Sequence, residues 1–172
     1  MRRLLLDTNI YGLIVEKNEE EELRNLINQA PVIVYGCQAI RKELRDTPKN
    51  KYTLTEKGLR NLRIGLLSIY DVIVKKHEIL ADEKTRALAH KYLKRYRQLT
   101  GQTALDHLKT DFLLIACATL NNLDLIVSED HKTLFSTEAI RTYHFINGLE
   151  NLKLPALYNY EDFKTFLKRL SP

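Results

Sequence analysis

Apolar positions along the chain fall into two patterns. Short unbroken apolar runs bounded by turn-forming residues mark strands buried on both faces. Three occur: Leu4-Leu5-Leu6 running into Asp7, the β-branched stretch at residues 32–35 closed by Gly36, and Leu125-Ile126-Val127. Elsewhere apolar residues recur at helical spacing. Leu23, Leu26 and Ile27 predict a helix over residues 19–30, with acids in its first turn, where the helix dipole favours them, and Pro31 as its stop. Residues 38–45 predict another, closed by Asp46-Thr47-Pro48. Leu59, Leu62, Leu66 and Ile69 predict a long helix over 55–74, and Leu88, Tyr92 and Tyr96 one over 82–99 that Gly101 breaks. A further helix reaches residue 120 or 121, with Thr103, Asp106 and Thr110 as candidate caps. Short helices are expected within 131–135 and 137–147, and an edge strand at 154–157 interrupted by Pro155. A final amphipathic helix covers 160–170, with Asn159 as its N-cap.

Strands alternating with helices imply an α/β fold, a parallel sheet with helices on both faces. All 172 residues read as a single domain. Residues 47–101 read as almost wholly helical and are expected to pack as a helical arm beside the sheet. No apolar run approaches the roughly 20 residues needed to cross a bilayer. The three leucines after Arg2-Arg3 are too few for a secretory signal, so no membrane association is expected and the protein should stay in the cytoplasm. Cys37 and Cys117 have no Cys or His at metal-ligand spacing and read as small core residues rather than a zinc site. A net charge of +5 favours a polyanionic partner.

The acids add chemistry. Asp7 ends the first strand and Asp130 follows the 125–127 strand. In a right-handed βαβ unit each helix begins near the edge where the previous strand ended. Glu43 lies within two turns of the start of its helix, and Asp111 within the first turn or two of its own. All four therefore belong at one edge of the sheet, where open α/β sheets bind ligands. Carboxylates gathered there repel one another unless a cation sits among them. With no His or Cys nearby in sequence the donor set is all oxygen, which suits Mg²⁺ or Mn²⁺. Each acid also has a structural reading: Asp7 caps a turn, Glu43 pairs with Lys42 or Arg45, and Asp130 caps the next helix.

These residues resemble the PIN-domain nucleases, which include the ribonuclease toxins of the Vap type. The resemblance rests on Leu4-Leu5-Leu6-Asp7-Thr8-Asn9, on Ile40-Arg41-Lys42-Glu43-Leu44, and on Asp111 heading an Ala-rich helix before Leu125-Ile126-Val127-Ser128-Glu129-Asp130. It covers residues 1–46 and about 104–135; Asp46, three residues after Glu43, competes for that acid's role. The resemblance implies a parallel-sheet α/β/α sandwich of PIN type. It implies a metal-dependent ribonuclease in which Asp7, Glu43, Asp111 and Asp130 are the catalytic, metal-binding acids. Asn9 and Ser128 would orient carboxylates or waters. An antitoxin protein and a homodimer are the partners it brings into view, alongside single-stranded RNA as substrate. The alternative is a catalytically inactive PIN fold that binds RNA or protein.

Arg41, Lys42 and Arg45, close to Glu43 in sequence, are candidate RNA contacts, as are Lys49 and Lys51. Phosphate contacts of this kind give salt-sensitive affinity with little sequence information. The strongly basic 82–99 stretch reads either as RNA-contacting or as a solvated face. His77, His90, His107, His131 and His144 are scattered and receive no catalytic role.

Overall fold

The computed structural model describes residues 1–55, 58–101 and 108–171. Thr103, Asp106 and His107 lie outside the described residues. The chain forms β1 (Arg2–Leu6), α1 (Thr8–Glu16), α2 (Glu20–Gln29), β2 (Val32–Cys37), α3 (Gln38–Asp46), β3 (Tyr52–Thr55), β4 (Gly58–Asn61) and α4 (Leu62–Val74). It continues through β5 (Glu78–Ile79), α5 (Glu83–Thr100), α6 (Leu108–Leu120), β6 (Leu125–Val127), α7 (Thr137–Glu150), β7 (Ala156–Tyr158) and α8 (Tyr160–Leu170).

Five strands make one parallel sheet in the order β5-β2-β1-β6-β7, with Leu4 opposite both Val34 and Leu125. The unbroken apolar runs stand at its centre because both faces of those strands are covered: Leu4, Leu5, Leu6, Ile126 and Val127 are fully buried. Each such side chain contributes about 1.5–3 kcal/mol relative to exposure. From β1 the chain crosses to β2 on one side and later to β6 on the other, so the strand order reverses between β1 and β6. That reversal opens a crevice beyond the strand ends.

The helices cover this sheet. α4 packs against β2, α1 and α3, and α2 against β2 and α8. α6 packs against β6, with α5 and α7 beside α5's aromatic seam. That seam is Tyr92, Tyr96, Phe112 and Tyr143, whose rings meet at centroid distances of 5.2–6.4 Å. Among the described residues no helix is long and apolar enough to cross a membrane.

Several expectations change at this point. The helix anticipated over 55–74 begins only at Leu62, where the Asn61 side chain accepts from the Ile64 amide at 3.2 Å. Before it lies an antiparallel hairpin, β3 with β4, in which Leu54 faces Leu59. Both leucines are largely exposed, so Leu59 belongs to no helical core face despite its spacing from Leu62. Gly58, at φ +105°, adopts a conformation that only glycine enters without strain. α1, with Gly12 at its middle, and β5 were not anticipated from the pattern. Residues 131–135 form turns rather than a helix, and the last strand is 156–158, beginning just past Pro155.

Gly36 shows how tightly α4 seats on the sheet. Its amide donates to the His77 carbonyl at 2.9 Å. A Cβ there would lie 2.6 Å from Tyr70 Cζ and 2.8 Å from Val74 Cγ1. Tyr70 cannot retreat cheaply, because its hydroxyl donates to Glu78 Oε2 at 3.0 Å and its ring packs at a tilt against Tyr11. Gly36→Ala is expected to destabilise the fold by about 1–3 kcal/mol. Urea titration should show a lower midpoint at an unchanged slope.

Candidate functional site

Asp7 is the first residue past β1, and its amide still donates to the Val127 carbonyl at 2.9 Å, extending the β1–β6 ladder. It also caps α1: Asp7 Oδ1 accepts from the Thr8 amide at 2.7 Å. Its other oxygen, Oδ2, accepts from Asn9 Nδ2 at 2.7 Å and from Ser128 Oγ at 2.6 Å. Ser128, fully buried at the end of β6, is fixed by its amide bond to the Tyr158 carbonyl of β7. Its hydroxyl in turn accepts from Asn9 Nδ2 and from the Asp130 amide, each at 3.0 Å. Asn9 Oδ1 accepts from the Glu129 amide at 3.2 Å. Asn9 and Ser128 thus lock the Asp7 carboxylate and tie it to the 128–130 loop.

Hydroxyl groups link the remaining acids to this centre. Thr8 Oγ1 donates to Glu43 Oε2 at 2.6 Å, reaching from α1 to α3. Glu43 is exposed, as is Asp46 three residues on, and the Thr8 bond ties Glu43 to the Asp7 end of α1. Asp130 Oδ1 accepts from the amides of Lys132 (3.0 Å) and Thr133 (2.8 Å), so this acid does cap the following turn. Thr133 Oγ1 bonds to Asp130 Oδ2 and lies 3.1 Å from Asp111 Oδ2, in the first turn of α6. One hydroxyl carries one proton, so it satisfies only one of those carboxylates at a time. Tyr143 donates to the Leu134 carbonyl at 3.0 Å and anchors this turn to α7.

The four acids and both polar supports therefore meet at the crevice between β1 and β6. Thr8 and Thr133 were not singled out from the sequence. Their signals were present: Thr8 stands inside Asp7-Thr8-Asn9, and Thr133 follows Asp130 by three residues, the spacing of a capping side chain. Thr110 lies inside α6 and is not its cap.

Burial and mutual repulsion govern the electrostatics. Burial, reinforced by the charges of Glu43 and Asp130, raises the Asp7 carboxyl to about 6 despite the bonds from Ser128 and Thr8. Asp111 rises to about 7, first through burial and then through Asp7, Asp130 and Glu43. For Asp130 burial acts in the same direction, but bonds from Thr133 and neighbouring amides outweigh it and hold the group below the usual range. Among the described residues no three His, Cys, Asp or Glu side chains come close enough to enclose an ion by themselves. This donor set still fits Mg²⁺ or Mn²⁺, because such ions are commonly held through one or two carboxylates while keeping several waters. Buried, repelling carboxylates are what a divalent cation would neutralise.

The basic candidates divide. Arg41 is engaged: it pairs with Asp71 at 2.5 Å, lies 3.7 Å from Glu78 and sits over the Tyr70 ring. Lys42, Arg45, Lys49 and Lys51 are exposed, and none makes an ion pair among the described residues.

Three solved structures share this architecture. VapBC2 from Rickettsia felis, solved bound to a DNA fragment from its promoter, aligns with 16% identity and a TM-score of 0.55, covering 92% of this chain and 98% of that one. FitAB bound to an IR36 DNA fragment aligns with 17% identity and a TM-score of 0.53, covering 91% and 94%. FitAcB from Neisseria gonorrhoeae aligns with 20% identity and a TM-score of 0.51, covering 91% and 96%. The five-stranded parallel sheet flanked by helices is the PIN-type fold of these structures. No protein-family model matches the chain, and the search of curated proteins gives no match.

Proposed function

We propose that this chain is a metal-dependent ribonuclease that hydrolyses phosphodiester bonds of single-stranded RNA. The observation that carries the reading is the carboxylate centre: half-buried Asp7 and Asp111, raised first by burial and then by neighbouring acids, joined through hydroxyl groups to Asp130 and Glu43 at the β1/β6 crevice. None of the four acids makes an ion pair with a Lys or Arg among the described residues, and raised carboxyls gathered in a crevice mark a functional-site candidate.

Asp7, Glu43, Asp111 and Asp130 would hold Mg²⁺ or Mn²⁺. When bound, such an ion supplies the positive charge that lowers the pKa of water and offsets the negative charge of the phosphate. Asn9 and Ser128 fix the orientation of the Asp7 carboxylate through their 2.7 Å and 2.6 Å bonds to Oδ2. Thr133 holds Asp130 beside Asp111. Exposed Lys42 and Arg45 on α3 would contact phosphates flanking the scissile bond. The likeness to VapBC2 and FitAB supports reading the chain as the toxin of a toxin-antitoxin pair, with an antitoxin protein and a second copy of itself as partners.

End-labelled single-stranded RNA should be cut in Mg²⁺ or Mn²⁺ and left intact when EDTA is added. Intact RNA across several sequences, with the protein folded and metal present, would replace this reading by a non-cutting module that binds RNA or protein. Cleavage that survives EDTA would remove the metal from the mechanism.

A further inference from the structure

A cavity of about 540 Å³ opens beside the carboxylate centre, between α1 and the β3–β4 hairpin. Asn9 and Glu129 line it, and Asn9 also donates to Asp7 Oδ2, so the cavity adjoins the carboxylate centre. Its floor is apolar, made by Leu13, Leu62 and Leu66. The floor is also deep at one point: a Cβ added to Gly12 would meet no atom within 4 Å. Tyr52 of the hairpin forms a wall, and the residue is 55% exposed. No other aromatic ring packs on it among the described residues. Lys51, next to it, is exposed and carries no ion pair among the described residues.

We propose that this groove is a nucleobase subsite: one unpaired base of the RNA enters it and stacks on Tyr52, while its phosphate stays outside at Lys51. The inference rests on the ribonuclease reading and adds a place for the substrate beside the cleavage centre. The charges favour this orientation. Glu16 and Glu129 line the cavity and repel a phosphate, whereas a neutral base meets an apolar floor and an open aromatic face. Among the described residues lining the cavity, Lys51 is the one cation, and it stands exposed just before β3. An open groove with one aromatic wall suits stacking, which tolerates any base because every base has a π-face.

The test uses a short fluorescein-labelled RNA and anisotropy in EDTA, so that binding is read without cleavage. Tyr52→Ala should weaken binding about 10-fold, within the range of one base–aromatic stack. Moving an abasic nucleotide along the RNA should find one position that costs the wild-type protein a similar factor and costs Tyr52→Ala nothing further. Gly12→Leu, a filler that also improves helix propensity, should give the same loss in a folded protein. Unchanged affinity in both variants, or abasic and Tyr52→Ala losses that multiply at every position, would overturn the subsite and leave the groove to a peptide. Metal-dependent cleavage with full RNA affinity in Tyr52→Ala would remove the subsite alone. Coupled losses in binding without cleavage under any metal condition would remove the nuclease reading instead.

Discussion

Asp7→Asn is expected to lower metal-dependent RNA cleavage by about 100-fold or more while leaving the fold intact. Replacing groups that merely orient a metal-holding side chain typically costs about 10–100-fold. Asp7 is the group being oriented: Asn9, Ser128 and the Thr8 amide all donate to its carboxylate. Asparagine keeps the shape and the bond to the Thr8 amide but removes the charge, and it turns an amide towards Asn9 Nδ2, donor against donor. The loss should appear in single-turnover rates at saturating metal, with an unaltered far-ultraviolet circular dichroism spectrum. Activity within a few-fold of wild type would show that Asp7 is an α1 cap and nothing more.

The same capping geometry explains why part of the site was legible in the chain and part was not. A run of three leucines ending in Asp reads as a buried strand delivering an acid to the sheet edge, and Asp7 is found there. Asp130 followed from the 125–127 strand in the same way, whereas Asp111 was placed only to within a turn or two because three caps competed for the start of α6. The hydroxyl links were invisible, since Thr8 and Thr133 act across 35 and 22 residues of sequence, a relation no local period encodes. α1 was missed because Asp7-Thr8-Asn9 and Gly12 both look like turn material. The helix capped by that same Asp7 is nevertheless stable because Ile10, Tyr11, Ile14 and Val15 are fully buried in the core.

The hairpin failed for the opposite reason, an accidental period. Leu59 stands three residues before Leu62, as a helix requires, but Leu54 and Leu59 pair across strands and face solvent. The contrary signals were Gly58, in a φ region closed to other residues, and the β-branched Thr53 in a stretch otherwise read as helix. Missing the hairpin also meant missing the groove, since Tyr52 lines it only because β3 lies against α1. Arg41 shows the converse: basic, close to Glu43 in sequence, yet committed to Asp71 by the way α3 packs on α4.

Without metal, the protein should become less stable as pH rises from about 5 to 7.5. Asp7 and Asp111 carry folded-state values of about 6 and about 7, above the ordinary 3.8. A raised carboxyl stabilises the fold fully below its unfolded value, where both states are protonated. That contribution is lost as pH climbs through the folded value, because the unfolded chain ionises first. Asp130 has the opposite sign: held below its ordinary value, it stabilises above that value and weakens only as pH falls towards it, outside this window. Since Asp7 and Asp111 repel one another, their shifts are not independent, and the combined loss is on the order of 2–4 kcal/mol. Asp111→Asn removes the larger of the two shifts and leaves the repulsion of Glu43 and Asp130 on Asp7, so its stability should vary with pH by about half as much. Mg²⁺ or Mn²⁺ competes with protons for the same oxygens, so added metal should raise the melting temperature more at pH 7.5 than at pH 5. Urea titrations of the EDTA-treated protein at the two pH values decide the matter. A flat profile, or the full slope retained in Asp111→Asn, would mean that these carboxylates do not strain the fold and need no cation among them.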